Sequence, residues 1–345
     1  MRAAEIQSPG RLPVLVDRDR PVARLGEVLV DVTAAPITPL DLLCASGTSY
    51  FGVPRTPYIP GAQGVGRANG KIVWFPTTAG MAPGDGSMAD AVAVREDDLV
   101  VLPDEADPML VAALGLSAVA AHMALLWRGQ LAVGEQVIVL GAGGVVGQAA
   151  VQLARAGGAR RVVAAARSSA AQARARQVGA DAVVALDTDD IAELTARFTA
   201  AADGPVDLVL DPLFGIPAAA AARVLRPGGR LVNIGSSASE TCPLDSSTLR
   251  SRSLRLLGYT NNELTAAQRA AAVTTVAQYA ASGSLSVAYE VTPLENVAAA
   301  WERQASGGAT AGRIVLSCAI GPRPDQLPLR GHGSTSPPIE FCGST

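Results

Sequence analysis

Histidine occurs only at His122 and His332, and lysine only at Lys71. The lysine scarcity, with arginine common, reads as genome composition rather than function. Aromatic residues make up 4% of the 345 positions while 49% are hydrophobic, so the core must be built mainly of Ala, Val and Leu. The four cysteines, Cys44, Cys242, Cys318 and Cys342, are not paired at short spacing, so nothing suggests a disulfide framework or a zinc ribbon. A net charge of −3 gives no argument for nucleic acid or an anionic membrane as partner. The first residues, MRAAEIQSPG, lack the apolar run of a signal peptide, and a cytoplasmic location is expected. One long apolar stretch exists, Met109–Trp127, but it contains His122 and runs straight into a strand pattern. A buried helix is expected there rather than a membrane span.

What the sequence does have is a glycine turn in a telling place. Gln136 to Gly147 reads QVIVLGAGGVVG: an apolar run, a stop at Gly141, then Gly143, Gly144 and Gly147. Small and apolar residues follow at helical spacing at Val146, Ala149, Ala150, Leu153 and Ala154. This is strand, tight turn, helix. A helix start exposes unpaired N–H groups and a partial positive charge, and glycines let a pyrophosphate approach it directly. The expected cofactor-binding residues of this turn are Gly141, Gly144, Val145, Val146 and Gly147. A second strand, Arg161–Ala166, completes a βαβ unit. Arg167 stands at its end, about twenty residues past the turn, where an acid would hold the ribose 2′-hydroxyl of NAD and an arginine would hold the 2′-phosphate of NADP. Ser168 and Ser169 add hydroxyls. The plainer alternative for Arg167 is a solvated side chain.

The rest of the chain falls into parts. Residues 1–108 carry short β-branched runs separated by Pro and Gly: Val14–Val16, Glu27–Val32, Lys71–Phe75, Ala91–Val94 and Leu99–Leu102. From about Leu110 to Tyr259 strands alternate with helices. After Arg161–Ala166 the strands are Ala182–Leu186, Val206–Asp211, Arg230–Gly235 and Leu254–Leu257, which predicts a parallel sheet covered on both faces. Leu264–Ala281 and Pro293–Arg303 read as helices, Leu285–Val291 and Gly312–Ser317 as strands returning to the first part. From Ala319 onward Pro, Gly and Ser dominate, and a loosely attached tail is expected. No internal repeat is present.

Several segments then carry a resemblance over residues 1 to about 318: AAPITPLDLL (Ala34–Leu43), PYIPGAQGVGRA (Pro57–Ala68), GSMADAVAV (Gly86–Val94), GLSA (Gly115–Ala118), the glycine turn, VDLVLDPLFG (Val206–Gly215), LRPGGRLVNIG (Leu225–Gly235) and AGRIVLS (Ala311–Ser317). In order and spacing the chain resembles the zinc-free quinone oxidoreductase branch of the medium-chain dehydrogenase/reductase superfamily. The resemblance implies an α/β fold: a Rossmann doubly wound sheet over 111–260, and a mainly β GroES-like catalytic domain made of 1–110 and 261–318, with 319–345 as tail. Zinc-dependent relatives place a cysteine where this chain has Thr38, a His-Glu pair at Ala62-Gln63, and a third ligand near Ala112–Leu114. None of those ligand types stands here, and no metal is expected. The resemblance further implies Tyr50 in the active-site loop, Thr38 where the zinc-free branch usually has asparagine, and Ser117 against the nicotinamide. Gly235 and Ser236, after the fifth strand, should face the same ring. Asp41 is a candidate titrating group, although it more readily caps a helix.

Together these readings predict an NADPH-dependent, zinc-independent reductase of quinones or α,β-unsaturated carbonyls. A homodimer paired through Leu254–Leu257 is implied by the resemblance. Two alternatives stay open: an enoyl thioester reductase of lipid or polyketide assembly, and a non-catalytic NADPH-binding protein.

Overall fold

A computed structural model describes residues 1–307 and 312–318. The expected tail, 319–345, lies outside the described residues. The first lobe holds β1 (Arg2–Glu5), β2 (Val14–Asp17), β3 (Glu27–Pro36), helix α1 (Pro39–Ser46), β4 (Gln63–Ala68), β5 (Lys71–Pro76), β6 (Ala91–Arg95) and β7 (Val100–Val101). Helix α2 (Pro108–Met123) continues through a π turn to Arg128. The second lobe follows: β8 (Gln136–Val139), α3 (Val145–Ala156), β9 (Arg161–Ala166), α4 (Ser169–Gln177), β10 (Ala182–Ala185), α5 (Ile191–Ala201), β11 (Val206–Asp211), α6 (Gly215–Ala222), β12 (Leu225–Asn233), α7 (Ser246–Ser251) and β13 (Arg255–Gly258). Helix α8 (Ala266–Ala281), β14 (Tyr289–Pro293), α9 (Val297–Ala305) and β15 (Arg313–Ser317) end the described chain.

The six strands of the second lobe are all parallel, in the order β10-β9-β8-β11-β12-β13. This is the doubly wound arrangement with its switch point between β8 and β11, the crevice where dinucleotides bind. Side-chain alternation explains how both faces are covered. Val137 and Val139 join the core beneath α2 and α3, whereas Ile138 and Leu140 join the core beneath α5 and α6. The first lobe holds the antiparallel pair β1-β2 and a seven-stranded sheet in which β14 and β15 are parallel and β15 pairs antiparallel with β3. The late segments thus return to the first sheet. Its interior is closed by Phe75, Met88, Leu294 and Trp301.

By length and composition, Pro108–Arg128 is the one described helix able to cross a membrane, but most of it is buried within the protein. Its apolar side joins one core that includes both Trp74 of β5 and Val139 of β8. A helix so placed links the two lobes. It is also broken: Gly115 takes φ 33° and ψ −135°. No side chain fits there, because a Cβ on Gly115 would lie 2.2 Å from the Gln63 Oε1.

Candidate active site

The glycine turn supplies the first part of the site. Gly141 has φ 63°, which lets β8 turn sharply. A Cβ on Gly147 would lie 2.4 Å from both the Ala142 Cα and the Gly141 oxygen, so only glycine lets α3 sit this close to the turn. Gly143 plays the same part toward α4, where a Cβ would meet the Ala171 Cβ at 2.3 Å. Gly144 differs. It is the N-cap of α3, no side chain caps the helix, and a Cβ there would face open space apart from the Gly141 oxygen at 3.6 Å. The N–H groups of Val145, Val146 and Gly147 therefore begin a twelve-residue helix without a side-chain acceptor. This fits a pyrophosphate.

Arg167 follows β9 and is exposed. Among the described residues no acid or carbonyl engages its guanidinium; only its own carbonyl is used, by Gln172. Ser168 caps α4, accepting from the Ala171 N–H at 3.2 Å. Ser236 donates to Glu240. Gly235 packs against Pro212, and its carbonyl accepts from Asn233 at 2.8 Å. Asn233 also donates to Asp211 at 3.0 Å, and Asp211 accepts from the Leu213 and Phe214 N–H groups at 2.9 and 2.8 Å. Burial pushes the Asp211 carboxyl up, and these donors oppose the rise. Asp211 and Asn233 were not read from the sequence as site residues. They lock the loops that flank Gly141, including Phe214 at φ 57°.

Thr38 and Asp41, the further catalytic candidates, sit at the start of α1. The two form a reciprocal capping box at the start of α1. Asp41 accepts from the Thr38 N–H at 2.8 Å, the Thr38 hydroxyl at 2.6 Å and the Ala62 N–H at 2.8 Å. Both residues are buried and serve the backbone. Burial pushes the Asp41 carboxyl up, while those three donors and the nearby Arg313 pull the other way.

Tyr50 is 80% exposed, with its ring 4.4 Å from that of Phe51. Its hydroxyl accepts from Asn262 at 3.4 Å, a contact between the first lobe and the segment after β13. Next to Asn262, Asn261 accepts from the Tyr259 hydroxyl at 2.7 Å and donates to the Leu116 carbonyl at 3.0 Å. The break in α2 is thus held from the nucleotide-binding side. From the other side Gln63 holds it: its Oε1 accepts from the Leu116 N–H at 2.8 Å and from the Trp74 Nε1–H at 3.0 Å. Ser117, the next residue, accepts from Arg313 at 2.8 Å, and Arg313 also donates to the Ile37 carbonyl at 2.9 Å. Arg313 is 4% exposed, and burial lowers its pKa to about 10. Gln63, Asn261 and Asn262 were not foreseen as site residues, nor was Arg313. For Gln63 alone there was a signal, since it stands where zinc-dependent relatives carry an acid.

Among the described residues, no three His, Cys, Asp or Glu side chains come together as a metal site. A separate hollow of about 450 Å³ lies between segments 51–58 and 80–85, bordered by Arg18, Arg55, Tyr58 and Met81. It borders none of the cofactor candidates.

A parallel sheet with a glycine turn at its switch point, joined to a second β lobe, defines a two-domain nicotinamide-type oxidoreductase. Residues 145–278 match the zinc-binding dehydrogenase family model. The chain is 30% identical over 330 residues to the quinone oxidoreductase of Lama guanicoe, covering 92% of this chain and 96% of that one. It is 31% identical over 248 residues to a phenolphthiocerol/phthiocerol polyketide synthase subunit of Mycobacterium tuberculosis, 67% of this chain but 11% of that one. The Thermus thermophilus quinone oxidoreductase, solved alone and with NADPH, superposes with a TM-score of 0.78 at 29% identity, covering 92% of this chain and all of that one. The chain belongs to the quinone oxidoreductase family of the medium-chain dehydrogenase/reductase superfamily. It is an oxidoreductase.

Proposed function

We propose that the protein is an NADPH-dependent, zinc-independent reductase of quinones or α,β-unsaturated carbonyls. The carrying observation is the uncapped start of α3 together with an Arg167 guanidinium, after the neighbouring strand β9, that has no partner among the described residues. The α3 N–H groups would hold the pyrophosphate, and Arg167 would pair with the 2′-phosphate. When bound, the cofactor supplies the hydride. The chain's residues then bind and orient the acceptor and help bring a proton to its oxygen. The ligand positions of zinc-dependent relatives carry Thr38, which caps a helix, and Ala62, which has no donor atom in its side chain. That donor set supports chemistry without a Lewis acid.

Loss of nicotinamide absorbance in the presence of quinones, enones and enoyl thioesters tests the proposal. Turnover of a quinone or enone with NADPH is expected, and failure of every quinone and enone would reject it. The enoyl thioester reading draws support from the partial match to the polyketide synthase subunit. A homodimer is supported by β13, which ends the parallel sheet and exposes Leu256.

A further inference from the structure

The break in α2 leaves two hydrogen-bond donors without acceptors. The first is the Gln63 Nε2. Its side-chain orientation is set by chemistry, because only the amide oxygen can accept from both the Leu116 N–H and the Trp74 indole N–H. The amide nitrogen then remains, and among the described residues nothing accepts from it. Gln63 is 1% exposed as a residue, and its Nε2, without an acceptor among the described residues, is not fully enclosed. It lies at Gly115, where a Cβ would stand 2.4 Å from Nε2.

The second donor is the Ser117 hydroxyl. A guanidinium has no acceptor, so the Arg313–Ser117 bond at 2.8 Å must run from Arg313 to Oγ. The hydroxyl proton has to point away from Arg313. A serine inside a helix would ordinarily turn that proton to a carbonyl one turn earlier. Here the helix is broken just before it, and no such bond forms among the described residues. Arg313 reinforces the polarity. It is a buried cation with no carboxylate within ion-pair distance among the described residues, and its Nε also lacks a partner.

We propose that Gln63 Nε2 and the Ser117 hydroxyl form a two-donor site for the carbonyl oxygen of the substrate, with Arg313 as the residue that positions Ser117. The proposal rests on the reductase reading only for the class of substrate. As hydride reaches the β carbon of an enone, the double-bond electrons move toward the carbonyl oxygen, which gains negative charge and later a proton. Donors fixed in advance stabilise that charge more than the neutral ground state. A site of this kind would supply part of the polarisation that a metal gives in relatives that carry one.

The test uses dimethylaminocinnamaldehyde, a chromophoric α,β-unsaturated aldehyde whose absorption moves to longer wavelength when its oxygen is polarised. It is bound to the full-length protein together with NADP⁺, which cannot donate hydride. A red shift is expected with the wild type. Gln63→Glu keeps the acceptor for Trp74 and Leu116 but removes the donor, and should lose most of the shift. Ser117→Ala should lose part of it, and Ser117→Thr, which retains the hydroxyl, should recover it. NADP⁺ affinity, read by fluorescence, should change less than about threefold in Gln63→Glu. No shift in the wild type, or a full shift in both Gln63→Glu and Ser117→Ala, would overturn the proposal. So would unaltered dye spectra with a large loss of NADP⁺ affinity, which would give these donors to the cofactor. A red shift without NADPH turnover on any quinone or enone would instead reject the reductase reading and leave the oxygen site standing.

Discussion

Asp41 and Ala62 are joined by a 2.8 Å hydrogen bond from the Ala62 N–H to the buried carboxylate. The same carboxylate caps α1 through Thr38. One side chain therefore fixes the start of a helix against the segment that enters β4 and carries Gln63. Hydrogen bonds to a charged group contribute about 1.5–3 kcal/mol each, and they do not add simply. Asp41→Ala is expected to lower stability by about 2–4 kcal/mol. Turnover per folded molecule should fall far less. A urea melt combined with kcat corrected for folded fraction checks this. Loss of turnover with unchanged stability would give Asp41 a chemical role.

Two glycines of the turn should respond in opposite ways. Gly147→Ala places a methyl against backbone atoms 2.4 Å away, so α3 must move off the turn. Lower stability is expected, by about 1–3 kcal/mol. Gly144→Ala meets nothing closer than 3.6 Å. Its Tm should stay near that of the wild type, while the added methyl narrows the approach to the α3 N–H groups. NADPH affinity should fall about tenfold or more in a fluorescence titration, a cost of about 1.4 kcal/mol. Equal Tm losses in the two variants would show that Gly144 also serves packing.

Arg167 should set the choice of cofactor. A guanidinium on a phosphate dianion contributes about 1.5–3 kcal/mol, which corresponds to a preference for NADPH over NADH of about ten- to a hundredfold. Arg167→Ala should remove most of that preference while leaving kcat/KM with NADH nearly intact. Equal efficiency of the wild type with both cofactors would refute the assignment.

Glu135 and Arg230 give the fold an acid-sensitive joint. Arg230 is 4% exposed, and it reaches the Glu135 carboxylate at 2.7 and 2.5 Å and the Gly129 carbonyl at 2.7 Å. Burial by itself would raise the Glu135 pKa. The bonds from Arg230 and the Ala132 N–H outweigh it and hold the carboxyl below its ordinary value. A carboxyl depressed in the folded state adds stability above its unfolded pKa and loses it as pH falls through the folded one. Glu135→Gln should therefore cost about 3 kcal/mol near neutral pH, because it leaves Arg230 buried without its counter-charge. The gap in Tm between variant and wild type should narrow as pH drops below the usual glutamate range. A gap that does not change with pH would mean that the pair stabilises by packing alone.

Local signals made much of this molecule legible. An apolar run, a glycine turn and a helix lie side by side in sequence at 136–156, and β9 and β11 match the predicted Arg161–Ala166 and Val206–Asp211. The Arg230–Gly235 strand instead spans Leu225–Asn233, because LRPGG joins the ladder through a register shift beside β11. The centre of the candidate site was hidden for a different reason. Gln63 and Leu116 are 53 residues apart, and Arg313 and Ser117 are 196 apart. Neither pair leaves a periodic trace. The break at Gly115 was equally invisible within an apolar stretch that reads as one continuous helix, since it follows from the Gln63 side chain packed against it.

Tyr50 and Asn262 carry the last prediction. Their 3.4 Å contact spans from the loop after α1 to the turn after β13, and Tyr50 is otherwise open to water. A phenol hydroxyl can donate a hydrogen bond to a reduced substrate oxygen. Removing one donor from a water-excluded site costs about a hundred- to a thousandfold in rate. A side chain this exposed competes with solvent, and the loss should be smaller. Tyr50→Phe is expected to lower kcat about tenfold and to leave NADPH affinity unchanged. Asn262→Ala removes the partner but not the hydroxyl. If Asn262 orients Tyr50, that variant should lower kcat by less than tenfold, and the double variant should be no slower than Tyr50→Phe alone. Independent, multiplicative losses would mean that the two residues act on different steps. Unchanged kcat in Tyr50→Phe would make the tyrosine a rim residue, and a large loss of NADPH binding would give it to the cofactor.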